Sequence, residues 1–216
     1  MEDVLDLYEE EYDPRYPTVC LDEKPVVLHA ETHPVQPATA GPRPHGHAER
    51  RDYEYVRQGT ANLFVLVEPL AGWRHVAVTE RRTKADYAEQ LRYLADMVYP
   101  HAEYIRLVQD NLNTHALAAL YEVFPPAEAR RLASRFELHF TPKHGSWLNM
   151  AEIEISIFER GCLSKRVKSF DHLWQHIEAL ASERNAQRCQ IHWRFTCADA
   201  RAQMHDLYPS PKIKLD

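Results

Sequence analysis

The segment 139–156, HFTPKHGSWLNMAEIEIS, constrains the fold most. It reads as a strand end, a rigid loop marked by Pro142 and Gly145, and a helix with Ser146 as its expected N-cap. Leu148, Ala151, Ile155, Phe158 and Cys162 repeat at helical spacing and form one apolar stripe. Met150, Ile153 and Ile157 form a second across the helix, so little of its surface is expected to face water. Asn149, Glu152, Ser156 and Glu159 make a polar stripe beside the first. A carboxylate such as Glu152 on a largely buried helix is costly unless it is paired or holds a cation.

The remaining elements follow from period and punctuation. TVCLDEKPVVLH is a strand with Val19 and Leu21 on one face and Asp22 at or just past its middle. Residues 34–50, rich in Pro, Gly and His, are expected to be a loop too long for a hairpin turn. YEYVRQGTANLFVLVEPL, interrupted at Gly59, and GWRHVAVTE are two further strands separated by a turn at Ala71-Gly72. Thr83 and Asp86 resemble a capping box; the helix they open places Tyr87, Leu91, Leu94 and Val98 on one face and stops at Pro100. YIRLVQD, residues 104–110, is apolar enough for the centre of a sheet. A helical pair around Pro125-Pro126, the strand FELHF and the 139–156 segment come next. A later helix turns Phe170, Leu173, Trp174, Ile177 and Leu180 inward, and a short one after IHWRF is capped by Thr196 and Asp199.

This order fits an α/β chain of ribonuclease H-like fold, a mixed five-stranded sheet flanked by helices. Residues 1–17 read as an acidic linker or lead-in outside the core, 18–209 as the domain, and 210–216 as a tail. At 216 residues one sizeable core is expected. No apolar run approaches the roughly 20 residues that span a bilayer, and the acidic start lacks the basic and apolar pattern of a signal peptide. Cys20, Cys162, Cys189 and Cys197 show no CxxC spacing and read as free thiols of a cytoplasmic protein. The net charge of −6 is uneven: residues 1–23 hold nine acids and one base, which leaves the remainder close to neutral. A local basic groove is compatible with that balance, although no strong basic footprint is visible.

Three acids fall where such a sheet brings elements together. Asp22 is on the first strand, Asp110 ends the fourth, and Glu152 is on the helix after the fifth. Carboxylates suit Mg²⁺ or Mn²⁺, although three acids at element edges also arise by chance among 32. Glu23 and Glu154 are the neighbours most easily confused with them. On a helix Glu152 and Glu154 point about 200° apart, so they cannot serve one site interchangeably. Asn149 and Ser156 flank Glu152 on its polar stripe, whereas Glu154 lies among apolar turns and needs solvent or a basic partner.

LDEKP at 21–25, QDNLNTH at 109–115 and TPKHGSWLNMAEIE at 141–154 resemble the motifs of DDE-superfamily transposases, closest to the bacterial insertion-sequence branch related to mariner elements. The resemblance implies that Asp22, Asp110 and Glu152 are catalytic ligands of two Mg²⁺ ions, with Mn²⁺ as a substitute. It also implies cleavage of double-stranded DNA at element ends and strand transfer into a TA-containing target, in a homodimeric complex. Asn111, His115, Lys143, His144, Trp147 and Asn149 are supporting or DNA-contacting candidates. For His115 and His144 the alternative is an ordinary surface histidine, and for Trp147 a core position. Arg43, Arg50 and Arg51 are either phosphate contacts or solvated charge. His172 and His176 have zinc-like i, i+4 spacing but no third ligand in sequence.

Two departures stand beside the resemblance. The 41 residues between Asp110 and Glu152 exceed the usual mariner-type interval, and the helical pair around Pro125-Pro126 can hold the surplus. The helix-turn-helix modules that such enzymes use to bind element ends are not seen in this sequence, so a separately encoded part is expected to supply them. The alternatives are a truncated remnant that only binds DNA or dimerises, and a structure-selective nuclease of the same fold.

Overall fold

The computed structural model describes residues 1–41, 46–50, 53–112, 115–164 and 166–208. Five strands form one mixed sheet: β1 (Thr18–Glu31), β2 (Tyr55–Glu68), β3 (Trp73–Thr79), β4 (Ile105–Gln109) and β5 (Phe136–Phe140), in the spatial order β3-β2-β1-β4-β5. β1, β2 and β3 pair antiparallel; β4 lies parallel to both β1 and β5. Seven helices complete the order: α1 (Glu2–Glu9), α2 (Lys84–Tyr93), α3 (Ala118–Val123), α4 (Pro126–Ala133), α5 (Ala151–Gly161), α6 (Phe170–Ala186) and α7 (Cys197–Gln203). This is the expected ribonuclease H-like arrangement.

Strand alternation gives the sheet two apolar faces. Val19, Leu21, Phe64, Leu66, Ile105 and Leu107 pack beneath Tyr87, Leu91 and Leu94, with Leu120 and Leu132 of the helical pair. On the other face Val26, Leu28, Leu63 and Val65 meet Ile155 and Phe158 of α5 and Leu173 and Ile177 of α6. The α2 capping box forms as expected, with Thr83 Oγ1 accepting from the Asp86 N–H at 3.2 Å. A π-helical turn at Leu94–Val98 then ends that segment. No described helix is long and apolar enough to cross a membrane.

Several local expectations are corrected. Residues 1–17 are not wholly a lead-in outside the core. Their first part is α1, whose Val4 and Leu5 are fully buried against Cys20, Val67, Val108, Leu148 and Met150. Three buried apolar side chains, Val4, Leu5 and Leu7, suffice to dock a short acidic helix. Gly59 does not interrupt β2; the strand runs through it with a bulge, where Val27 faces Thr60 but His29 faces Arg57. Its φ of +95° is the backbone state that only glycine adopts without strain. Within the described part of 34–50, Gln36 pairs with Arg50 and Thr39 with His47 in antiparallel bridges.

Ser146 opens a 3₁₀ turn, Ser146–Leu148, and not α5. The cap of α5 comes from Asn149, whose Oδ1 accepts from the Ala151 N–H at 3.1 Å. Trp174, expected inward, is exposed, and so is Ile153 on α5, because the neighbouring elements cover only part of each helix. Arg43, Arg51 and residues 210–216 lie outside the described residues.

If α1 belongs to the core, Leu5→Ala removes a buried side chain and should cost about 2–5 kcal/mol in urea denaturation. A cost within about 0.5 kcal/mol, the range of exposed positions, would return this segment to a linker.

Candidate active site

The parallel pairing of β1 with β4 sets the site. Cys20 lies opposite Val108, so two residues further on Asp22 and Asp110 come level on the face that α5 covers. Asp110 stands just past the end of β4, and Glu152 occupies the first turn of α5. Burial pushes the Asp22 carboxyl up to about 7, and the charges of Glu152, Asp110 and Glu23 act in the same sense. The Glu23 N–H, donating to Asp22 Oδ1 at 2.8 Å, opposes them. Asp22 therefore lies within electrostatic reach of both Glu152 and Asp110.

Asn149 fixes the start of α5 beside Asp22. It is buried, and its Nδ2 donates to the Leu21 carbonyl at 2.8 Å. Tyr8 donates to the Leu148 carbonyl, also at 2.8 Å, so α1 holds the same turn from below. Two residues along α5, Glu154 is fully buried and accepts from Arg74 at 3.0 Å and from Arg184 at 2.8 Å. Its charge is thus matched by two guanidinium groups on the far side of the helix. Glu152, by contrast, is half-buried on the Asp22 side.

His115 is buried, not a surface histidine. Its Nδ1 meets Asp110 Oδ1 at 2.5 Å and its Nε2 meets Glu23 Oε1 at 3.0 Å. Burial alone would lower its pKa, but the two carboxylates outweigh it and hold the ring up to about 9. The ring stacks on Tyr87 with centroids 5.0 Å apart. Tyr87 donates to Gln109 Oε1 at 2.8 Å, and Gln109 Nε2 donates to the His115 carbonyl at 2.9 Å. Arg82 reaches the other Glu23 oxygen at 3.1 Å. Sequence reasoning missed Glu23, Arg82, Tyr87 and Gln109 as supports; alternation along β1, which puts Glu23 opposite Asp22, was the signal available.

The loop ahead of α5 carries Lys143, His144 and Trp147 on the surface, with His144 at φ +64°. Trp147 is half exposed against Trp193 and Phe195. Asn111 and Arg50 are exposed. The His172 and His176 rings lie 4.3 Å apart without a third ligand. Among the described residues no three His, Cys, Asp or Glu side chains already stand close enough to hold an ion. The Asp22, Asp110 and Glu152 donors nonetheless fit Mg²⁺ or Mn²⁺ in kind, being hard carboxylate oxygens. A cleft at the N-terminal end of β1, walled by Tyr8, Tyr12, Tyr16 and Trp193, includes none of these acids. The acids lie half-buried at the surface, where an extended polymer can reach them.

Fold and site together define an α/β domain of ribonuclease H-like topology with a carboxylate cluster where β1, β4 and α5 meet. Residues 17–174 match the family described as DDE superfamily endonuclease, and the chain belongs to that family. No curated protein matches it. Similar solved structures include a pre-cleavage Mos1 transpososome, 13% identical over 86% of this chain and 58% of that one, with a TM-score of 0.40. The Mos1 mariner paired end complex with Mn is 16% identical over 86% and 58%, with a TM-score of 0.33. The corresponding complex with Mg is 16% identical over 88% and 60%, also with a TM-score of 0.33. The chain thus spans less than two thirds of the Mos1 chains it resembles.

Two outcomes follow from the electrostatics. In the folded chain Asp22 keeps its proton to about pH 7, whereas unfolded it loses it near pH 3.9. Between those values the folded state binds the extra proton, so this group's stabilisation is lost as pH rises through the window. In EDTA, Asp22→Asn should therefore raise the unfolding midpoint at pH 8 and leave it unchanged near pH 4; equal shifts at both would contradict the raised carboxyl. Glu154→Gln should cost about 3–5 kcal/mol, because it leaves Arg74 buried without its counter-charge. Glu152→Gln should cost less than about 1 kcal/mol in the same urea titration.

Proposed function

We propose that the chain is the catalytic domain of a DDE transposase, cutting DNA strands and joining them in cut-and-paste transposition. The observation that carries this reading is the gathering of Asp22, Asp110 and Glu152 at one edge of a family-matched endonuclease fold, with the Asp22 carboxyl raised by burial first and then by the charges of the other two. These three residues would hold two Mg²⁺ ions, or Mn²⁺ in their place. Such ions activate a water or 3′-hydroxyl and steady the leaving oxygen of an in-line displacement.

The remaining roles belong to this chain's own side chains. Asp22 would enter from β1 and Asp110 from the loop just past the end of the parallel strand β4. Glu152 closes the third side from the first turn of α5, which Asn149 holds to β1. Lys143, His144 and Trp147 lie on the exposed loop leading into that helix, placed to meet backbone phosphate or a base face. Arg50, on the exposed segment beyond β1, is a further phosphate contact.

The substrate in this reading is double-stranded DNA: the ends of a bacterial, mariner-related insertion sequence, then a TA-containing target. Sequence-specific end binding falls to a separately encoded helix-turn-helix part, and two copies of the chain act together in the complex. The four free thiols accord with a cytoplasmic setting.

Supercoiled plasmid incubated with the purified chain in Mn²⁺ tests the proposal. Asp22→Asn, Asp110→Asn and Glu152→Gln should each reduce nicking to background with circular dichroism unchanged. Undiminished nicking in any of the three would remove that residue from the ligand set.

A further inference from the structure

Asp22 and Glu23 are consecutive on β1 and serve opposite faces of the sheet. Asp22 points to the α5 side. Glu23 is buried on the α2 side, its carboxylate bracketed by His115 and Arg82. His115 in turn reaches through to Asp110. The result is a chain of alternating charge, Arg82–Glu23–His115–Asp110, which ends on one of the three acids assigned above as metal ligands.

We infer that His115 and Glu23 are a positioning pair for Asp110, and thereby for the cation site. The inference rests on the proposed transposase site. Its motive is a gap in how Asp110 is held. β4 ends at Gln109, so Asp110 is the first residue of a loop and no strand pairing orients its side chain. His115 supplies what the strand does not. A ring whose two nitrogens each lie against a carboxylate has its plane fixed at two points, and the Tyr87 face fixes it at a third. The backbone around it is pinned as well: His115 N–H donates to the Leu112 carbonyl at 2.9 Å, and Gln109 holds the His115 carbonyl.

With Oδ1 of Asp110 taken by the ring, its second oxygen is the one left to face a cation. Ligating carboxylates that are themselves hydrogen-bonded hold their ion in fixed geometry, and loss of such a partner typically costs about 10–100-fold in affinity. Glu23 is the fixed end of the tether, since it sits on the central strand of the sheet. Its charge keeps the imidazole turned with Nδ1 toward Asp110; a ring freed from Glu23 can rotate and leave Asp110 without its donor.

The test measures Mn²⁺ binding to the purified full chain by electron paramagnetic resonance, without DNA or turnover. Asp22→Asn should abolish binding. His115→Ala and Glu23→Ala should each weaken it by about 10–100-fold. Glu23→Gln keeps an oxygen that can accept from Nε2 and should bind within about threefold of the unaltered chain, a rescue that loss of packing alone would not produce. In parallel, nitrogen-resolved NMR of the metal-free chain should show the His115 Nδ1 signal move on Asp110→Asn and the Nε2 signal move on Glu23→Gln. If Asp22→Asn abolishes binding while His115→Ala and Glu23→Ala leave it unchanged, the positioning role is overturned and the site stands. If Asp22→Asn binds Mn²⁺ like the unaltered chain, the site reading fails and the inference with it. Should His115→Ala not fold, the contrast of Glu23→Ala with Glu23→Gln decides the matter on its own: equal loss in both overturns the role.

Discussion

The rotational setting of α5 depends on one buried ion cluster. Glu154 has no exposure, and two guanidinium groups, from Arg74 of β3 and Arg184 of α6, converge on it. Arg74 is itself fully buried and also donates to the Gly72 carbonyl, while Asn185 bonds its backbone in both directions. Buried ion pairs add little net stability, since desolvation offsets attraction, but a broken one is costly. That asymmetry makes the cluster a device of orientation. If α5 rolled by half a turn, Glu154 would lose both partners. With the roll fixed, the position about 200° away, Glu152, is held toward Asp22.

A second constraint works through β1. Because successive side chains of a strand point to opposite faces, the pair Asp22-Glu23 is divided between two environments. One acid is left crowded by Glu152 and Asp110 and held up to about 7. The other is matched by His115 and Arg82. Uncompensated charge is expensive in a half-buried setting, and the first acid lacks the basic partners that its neighbour has, which accords with the cation-holding role proposed for it. The compensated acid then becomes structure. Both roles fall on the same strand because β1 has helices packed on each of its faces.

The helix α1 adds a third tie. Its acidic composition places its charges outward, yet Val4, Leu5 and Leu7 are buried, and Tyr8 reaches the turn that precedes α5. The segment ahead of the sheet therefore helps hold the loop from which Asn149 and Glu152 arise. Cys197 and Ala200 of α7 join the same apolar cluster, so the two ends of the described chain meet beneath the site.

What the sequence determined by itself is the set of features whose causes are local. The capping box at Thr83–Asp86, the turn at Gly72, the apolar run of β4 and the helical stripe of Leu148, Ala151, Ile155 and Phe158 each depend on residues a few positions apart. Strand order followed from these, and with it the expectation that Asp22 and Asp110 come level. What only the tertiary structure decided depends on partners far along the chain. The partner of Glu154 is 80 residues away in Arg74, and that of His115 is 92 residues away in Glu23. The docking of α1, the exposure of Trp174 and Ile153, and the choice of Asn149 over Ser146 as cap likewise turn on which surfaces meet. Periodicity reports that a face is apolar or charged; it does not report what arrives to cover or neutralise it, because that is fixed by the packing of the whole chain.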